Sequence, residues 1–314
     1  MNRKDAAYLR IIVWSIVAAV LLIILIVGII FGHNFSFSFI SFEGDSYKNS
    51  EKYIAGGGEV PAGEVDSLDV NWTSGKVEIA VYEGDTIRME ETAGRELSER
   101  EKLHYFNDNG TLRIQFQESG KKFRFISADS GVKKTLKLEI PREKASQLKQ
   151  LSVDTASADT DMSYISGKEM ILDTASGNFR MREIQVEKLR WDTVSGDLEG
   201  ENLEISEEFI GDSVSGRAEF TGAVGEIDFD SVSGDMKVTS THCPDKVRTD
   251  TVSGEIRLRI PENSGFTYEM DGVSGKVHMD FPVLQNGNGG VYKDGQADFS
   301  FETVSGDVSV EIQD

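Results

Sequence analysis

The sequence predicts an all-β fold: a repetitive parallel β-solenoid, or β-helix, of about 20-residue rungs, preceded by one N-terminal transmembrane helix. Three observations predict it. A six-residue motif recurs at near-constant spacing, apolar residues alternate with period two inside each repeat, and one uncharged apolar run lies near the N-terminus.

The motif, Asp-Thr-Val-Ser-Gly-Asp with variations, begins at Asp154, Asp173, Asp192, Asp212, Asp230, Asp250, Asp271 and Glu302. Successive starts lie 19, 19, 20, 18, 20, 21 and 31 residues apart. A unit this short cannot bury an apolar face alone, so it must stack on its neighbours. Five prolines in 314 residues, with many Val, Ile, Phe and Thr, suit strands throughout. In the unit starting at Asp250, Val252, Ile256, Leu258 and Ile260 alternate with Ser253, Glu255, Arg257 and Arg259, which sets the first group inward. Stacking then predicts two apolar ladders. One is Val194, Val214, Val232, Val252, Val273 and Val304; the other is Leu198, Ala218, Met236, Ile256, Val277 and Val308. The glycine of each Ser-Gly pair (Gly177, Gly196, Gly216, Gly234, Gly254, Gly275, Gly306) marks a recurrent bend, where a missing Cβ permits either positive φ or close packing between rungs.

Residues 11–31 are 21 consecutive residues without a charge. At about 1.5 Å per residue they reach across a hydrocarbon core of roughly 30 Å. Arg3, Lys4 and Arg10 flank the N-terminal side and the next base is Lys48, which puts the N-terminus in the cytoplasm. The expected protein is therefore a single-pass cell-membrane protein. It has a cytoplasmic N-terminus (1–10), an anchor (11–31), and an extracytoplasmic remainder (32–314). Within that remainder, 32–59 reads as a juxtamembrane segment or linker, with aromatic alternation at Phe35, Phe37 and Phe39, and 60–150 as degenerate rungs or a β-rich cap. Asn71-Trp72-Thr73-Ser74-Gly75-Lys76 is a degenerate motif copy there, and 95–102 reads as a short helix or a loop. Residues 151–314 hold the regular repeats, with an insertion at about 282–298 whose Asn-Gly and Asp-Gly pairs signal a protruding loop or hairpin.

The net charge of -21 disfavours nucleic acid, which needs clustered bases to displace counterions. Residues 32–314 carry 30 bases against 53 acids, a field that draws cations and basic partners. The single cysteine, Cys243, leaves no intramolecular disulfide.

Stacked rungs bring the motif aspartates about 4.8 Å apart. Two readings of Asp173, Asp192, Asp212, Asp230, Asp250 and Asp271 follow. Their oxygens accept backbone N–H bonds at the turn, helped by neighbouring Thr and Ser hydroxyls, or they hold Ca2+ between rungs. The first requires no cofactor. Gly211-Asp212-Ser213-Val214-Ser215-Gly216 has the look of a hydrolase serine motif, but it is one copy of the repeat. His33, His104, His242 and His278 are too scattered for a zinc or Ser-His site, and no acid pair stands apart from the ladder. The reading is non-enzymatic: no catalytic residue and no cofactor site is assigned.

The apolar run, the degenerate first half and the serial motifs together resemble the LiaG-like putative-adhesin family of β-strand-repeat proteins from Gram-positive bacteria, over roughly residues 60–314. The resemblance implies a surface-exposed β-solenoid, sometimes associated with envelope stress, and supplies no catalytic residues. The expected role is binding or scaffolding at the cell envelope, with the membrane, an envelope polymer or a membrane protein as partner. An adhesin for host cell or matrix is the alternative, and a glycan-active β-helix enzyme the third reading.

Overall fold

The computed structural model of the chain describes residues 49–119 and 132–313. They form 21 strands and almost no helix. The first seven are β1 (Ile54–Ala55), β2 (Gly58–Pro61), β3 (Ser67–Tyr82), β4 (Thr86–Ala93), β5 (His104–Asp108), β6 (Thr111–Gln115) and β7 (Lys134–Pro141). The middle eight are β8 (Leu148–Ser163), β9 (Ser166–Thr174), β10 (Phe179–Thr193), β11 (Leu198–Ser213), β12 (Ala218–Ser231), β13 (Met236–Ser240), β14 (Lys246–Thr251) and β15 (Ile256–Ile260). The last six are β16 (Gly265–Gly272), β17 (Val277–Met279), β18 (Leu284–Asn286), β19 (Gly289–Lys293), β20 (Ala297–Thr303) and β21 (Val308–Ile312).

Consecutive repeats pair in parallel, with each motif set on the next. Asp154 faces Asp173, Asp173 faces Asp192, Asp192 faces Asp212, Asp212 faces Asp230, and Asp230 faces Asp250. Asn71 faces Asp154, so the degenerate copy is a true rung. Inward side chains stack in rows, as parallel strands require. Leu151, Met170, Leu189, Phe209, Ile227, Val247 and Phe299 form one such row. In the next row Trp191 and Phe229 flank Gly211, where a Cβ would meet the Phe229 ring at 2.9 Å. The neighbouring rings take the space that glycine leaves.

The ladder Leu198, Ala218, Met236, Ile256 and Val308 is sealed, and its end member Val277 is half-buried. The valine ladder is not inward. Val273 is 83% exposed and Val304 49%, whereas the preceding Thr174, Thr193, Ser213, Ser231, Thr251 and Thr303 are buried. The physical reason is the corner itself. At five corners the hydroxyl before the valine or alanine turns inward to accept the N–H of the glycine three residues on, at 2.7 Å for Thr174 to Gly177, 2.8 Å for Thr193 to Gly196, and 2.7 Å for Ser213 to Gly216, Ser231 to Gly234 and Thr303 to Gly306; Val273 follows Gly272 and keeps the same phase by register with Val304. That turn throws the valine outward.

None of the seven glycines from Gly177 to Gly306 in the regular motifs has φ in the left-handed region, unlike Gly75 of the degenerate copy (φ 105°); they are glycine because rungs touch there. A Cβ on Gly196 would lie 2.0 Å from the Gly177 carbonyl oxygen, and one on Gly216 would lie 2.0 Å from that of Gly196. The opposite corner does use left-handed backbone: Tyr164, Glu183 and Asn202 have φ of 61°, 53° and 55° in successive rungs.

Chain order and stack order part at both ends. β3 lies between β8 and the outer pair β6 and β7, which the antiparallel strands β5 and β4 cover. At the far end β20 lies between β14 and β16, and β21 between β15 and β17. Glu302 therefore sits between Asp250 and Asp271, and the expected order Asp250, Asp271, Glu302 is corrected. The insertion forms the hairpin β18–β19, and β19 covers the β16 edge antiparallel. Residues 95–102 form a loop. In the first cap, Lys134 has a fully buried side chain; its ammonium donates to Glu91 Oε1 (2.7 Å) and to the Glu101 (2.7 Å) and Phe116 carbonyls, 4.1 Å from the Phe116 ring centre.

The expectation of a single-pass cell-membrane protein with residues 32–314 outside is not upheld. Among the described residues no helix is long and apolar enough to cross a membrane. The 11–31 run on which that placement rested, and the 35–42 aromatic alternation, lie outside the described residues.

Gly216→Ala is expected to cost about 2–4 kcal/mol in urea unfolding, since its Cβ has nowhere to go, while Val273→Thr should stay within about 0.5 kcal/mol. Lys134→Met should cost about 3 kcal/mol or more, because the Glu91 carboxylate is left buried without its ammonium.

Candidate functional site

The motif carboxylates form one outward row, one position before the buried hydroxyls. It runs Asp154, Asp173, Asp192, Asp212, Asp230, Asp250, Glu302, Asp271. Two arginines from the neighbouring row reach into it. Arg190 donates to Asp192 Oδ2 (3.0 Å) and Asp212 Oδ2 (3.1 Å), and Arg248 donates to Asp250 Oδ2 (2.7 Å). The other carboxylate oxygens are left short: Oδ1 of Asp192, Asp230 and Asp250 is buried with no hydrogen-bond partner.

Like charges in register and half-buried cannot all stay ionised. Burial, then the Asp154 charge, pushes Asp173 up to about 8. Burial, then Asp192, pushes Asp212 up to about 7, and burial with the Asp250 and Asp228 charges does the same for Asp230. Glu302 is raised chiefly by Asp250.

The turn-satisfying role expected of these aspartates falls to the motif's sixth residue instead. Oδ1 of Asp159 accepts the Asn178 N–H (3.0 Å), Asp197 that of Arg217 (2.8 Å), Asp235 that of Glu255 (2.9 Å) and Asp307 that of Lys276 (2.9 Å). Each bond ties one rung to the next. For a cation, no group of three His, Cys, Asp or Glu side chains able to hold a metal ion occurs among the described residues.

At Asp271 the row meets a cleft of about 610 Å³, between the last rung and the hairpin β18–β19. Met270, Val277, Met279 and Val283 supply its partly buried apolar patches, and polar groups, among them Asp271, His278, Gln285 and Asn288, make up most of its exposed lining. Asn288 Nδ2 donates to Asp271 Oδ1 (3.2 Å), Tyr268 Oη donates to Gln285 Oε1 (3.1 Å), and His278 Nε2 lies 2.9 Å from Asp280 Oδ1. Half of the solenoid end is plugged by Phe266, Phe281 and Tyr292, whose rings meet at 5.0 to 5.5 Å. The other half is this cleft. Sequence reasoning marked its hairpin by the turn pairs at 285–295 but not the cleft, because the reversed order of the last two rungs creates it.

These features define an all-β, solenoid-like repeat protein with a carboxylate row and an open end. The chain belongs to the Toastrack DUF4097 family, whose model matches residues 65–311, in keeping with the putative-adhesin resemblance carried by the motif. Among solved structures it is similar to a protein named as a putative lipid binding protein from Parabacteroides distasonis, at 17% identity over 82% of this chain and 96% of that one, with a TM-score of 0.51. Two named as putative adhesins match with lower scores. One, from Bacteroides fragilis, has 11% identity over 83% and 97% (TM-score 0.46); the other, from Parabacteroides distasonis, has 16% over 85% and 98% (0.45). No curated protein matches the chain.

Because the raised row binds protons more tightly folded than unfolded, its stabilising contribution is complete below the ordinary carboxylate range near 4 and is lost as pH rises through 7 to 8. The melting temperature is expected to fall by about 3–8 °C from pH 5 to pH 9, and a triple Asn variant at 173, 212 and 230 to remove most of that slope. EDTA should leave the melt unchanged.

Proposed function

We propose that the chain is a non-enzymatic, adhesin-like scaffold that binds a polymer of the cell envelope. The observation that carries this reading is how the motif's reactive groups are used. Ser213, in the stretch most like a hydrolase motif, is buried; its Oγ accepts the Gly216 N–H (2.7 Å) and lies 3.0 Å from the Gly216 carbonyl. Ser215 Oγ donates to the Val194 carbonyl one rung away (3.2 Å), and the same bond recurs from Ser233 to Val214 and from Ser305 to Val252. Groups so committed hold rungs together rather than attack a substrate. What remains for function is a stiff, acidic surface, suited to partners that carry positive charge or bring cations. Adhesion to another cell or matrix is a second reading, favoured by the hairpin β18–β19, which leaves Leu284 79% exposed at its start.

The test is binding of the purified protein to fractionated wall polymer across a salt series. Saturable binding that weakens with salt is expected. A hydrolytic activity on such a polymer that a point mutation abolishes would contradict the proposal.

A further inference from the structure

The strands of the rungs are paired on both edges with one exception among the described residues. β6 and β7, outermost at one end, are covered by β5 and β4, and β16 at the other end is covered by β19. β17 pairs only with β21. In a parallel pair, alternate residues direct their N–H and C=O to the same neighbour. On this strand the Lys276 carbonyl accepts the Val308 N–H (2.8 Å) and the Asp280 N–H donates to the Val310 carbonyl (3.0 Å). Residues 276, 278 and 280 therefore face β21. The N–H and C=O of Val277 and Met279 face the other way, on the side where both residues line the cleft.

We infer that this edge and cleft form a docking site for an extended, basic peptide segment that adds to β17 as a further strand. The inference rests on the reading of the chain as a binding scaffold, but it names a surface that meets the acidic outer row only at its end, at Asp271 and Glu302. Three properties of the site select the occupant. The unpaired main-chain groups of Val277 and Met279 are matched by another main chain and not by an acyl chain, which has neither donors nor acceptors. The apolar patches of Met270, Val277, Met279 and Val283 leave the half-open floor that alternate apolar side chains of a strand would fill, at a position where every inner rung is sealed: Ile256, Leu258, Val308 and Val310 are at most 2% exposed. Around it the acids Asp271, Asp280, Glu302 and Asp307 outnumber Lys276 and His278, the latter bonded to Asp280, and Asp271 stands at the rim of the cleft. A volume of about 610 Å³ lies within the ordinary range of ligand sites. The methionines suit a site that adapts to side chains of differing shape.

The test uses the full-length protein with methyl-labelled methionine and three capped hexapeptides. One is Val-Lys-Val-Lys-Val-Lys, the second is the same peptide N-methylated at alternate amides, and the third is Val-Glu-Val-Glu-Val-Glu. The basic peptide is expected to shift the Met270 and Met279 methyl signals saturably. The N-methylated and acidic peptides should bind at least about tenfold more weakly, having lost edge hydrogen bonds in one case and charge complementarity in the other. Asp271→Asn, an exposed change, should weaken the basic peptide several-fold and leave the melting temperature unmoved. Equal binding of the N-methylated peptide, shifts confined to other methionines, or saturable shifts with decanoate but with no peptide would each overturn the inference. Any of these results leaves polymer binding by the acidic outer face intact, so the two proposals fail separately.

Discussion

Close approach of the rungs at the Ser-Gly corner is the constraint on which the rest of the structure depends. A carbonyl oxygen of one rung stands where the next rung's Cβ would be, 2.0 Å from it at Gly196 and Gly216, so only glycine fits. The hydroxyl three residues earlier holds that glycine's N–H from inside. With the corner locked, each strand has one register available, and a slip by one residue would turn every buried row to solvent. The aromatic and aliphatic rows of the core, and the carboxylate row outside, are consequences of that register.

Much of this was legible in the sequence because the repeat states it many times over. The spacing of Asp154 to Asp250, the parallel stacking and the sealed ladder through Ala218, Met236 and Ile256 follow from period and alternation alone. The phase at the corner was not legible. Thr and Val are nearly isosteric, and alternation favours burying the valine; the inward hydroxyl bond decides for Thr or Ser, to the glycine N–H at Thr193, Ser213, Ser231 and Thr303 and to the Thr303 hydroxyl at Thr251. The left-handed corner at Tyr164 and Glu183 was hidden for a related reason, since neither residue type signals such backbone, and Asn202 alone in that trio does.

The candidate site was legible in part. The acids of the row could be named, but which of the motif's two acids bonds backbone could not, because both are aspartates near the same turn. The reversed end rungs were beyond reach. A gap of 31 residues reads as a loop, and nothing in composition says that the chain goes out to build the last rung and then returns beneath it. That return leaves β17 as an edge and opens the cleft beside Asp271. Repetition supplies stiffness along the stack, and departures from repetition at its end supply shape.

The acidic row has an energetic meaning of its own. Registered carboxylates with two interposed arginines oppose the stacking that places them together, and the glycine corner and the core rows must outweigh that opposition. The corner is a locked part of the core and not a surface turn. Native-state hydrogen exchange at the amides of Gly196, Gly216 and Gly234 tests it most directly. Protection in the slowest class, lost only with global unfolding, is the predicted result; exchange at the rate of the exposed hairpin β18–β19 would contradict it.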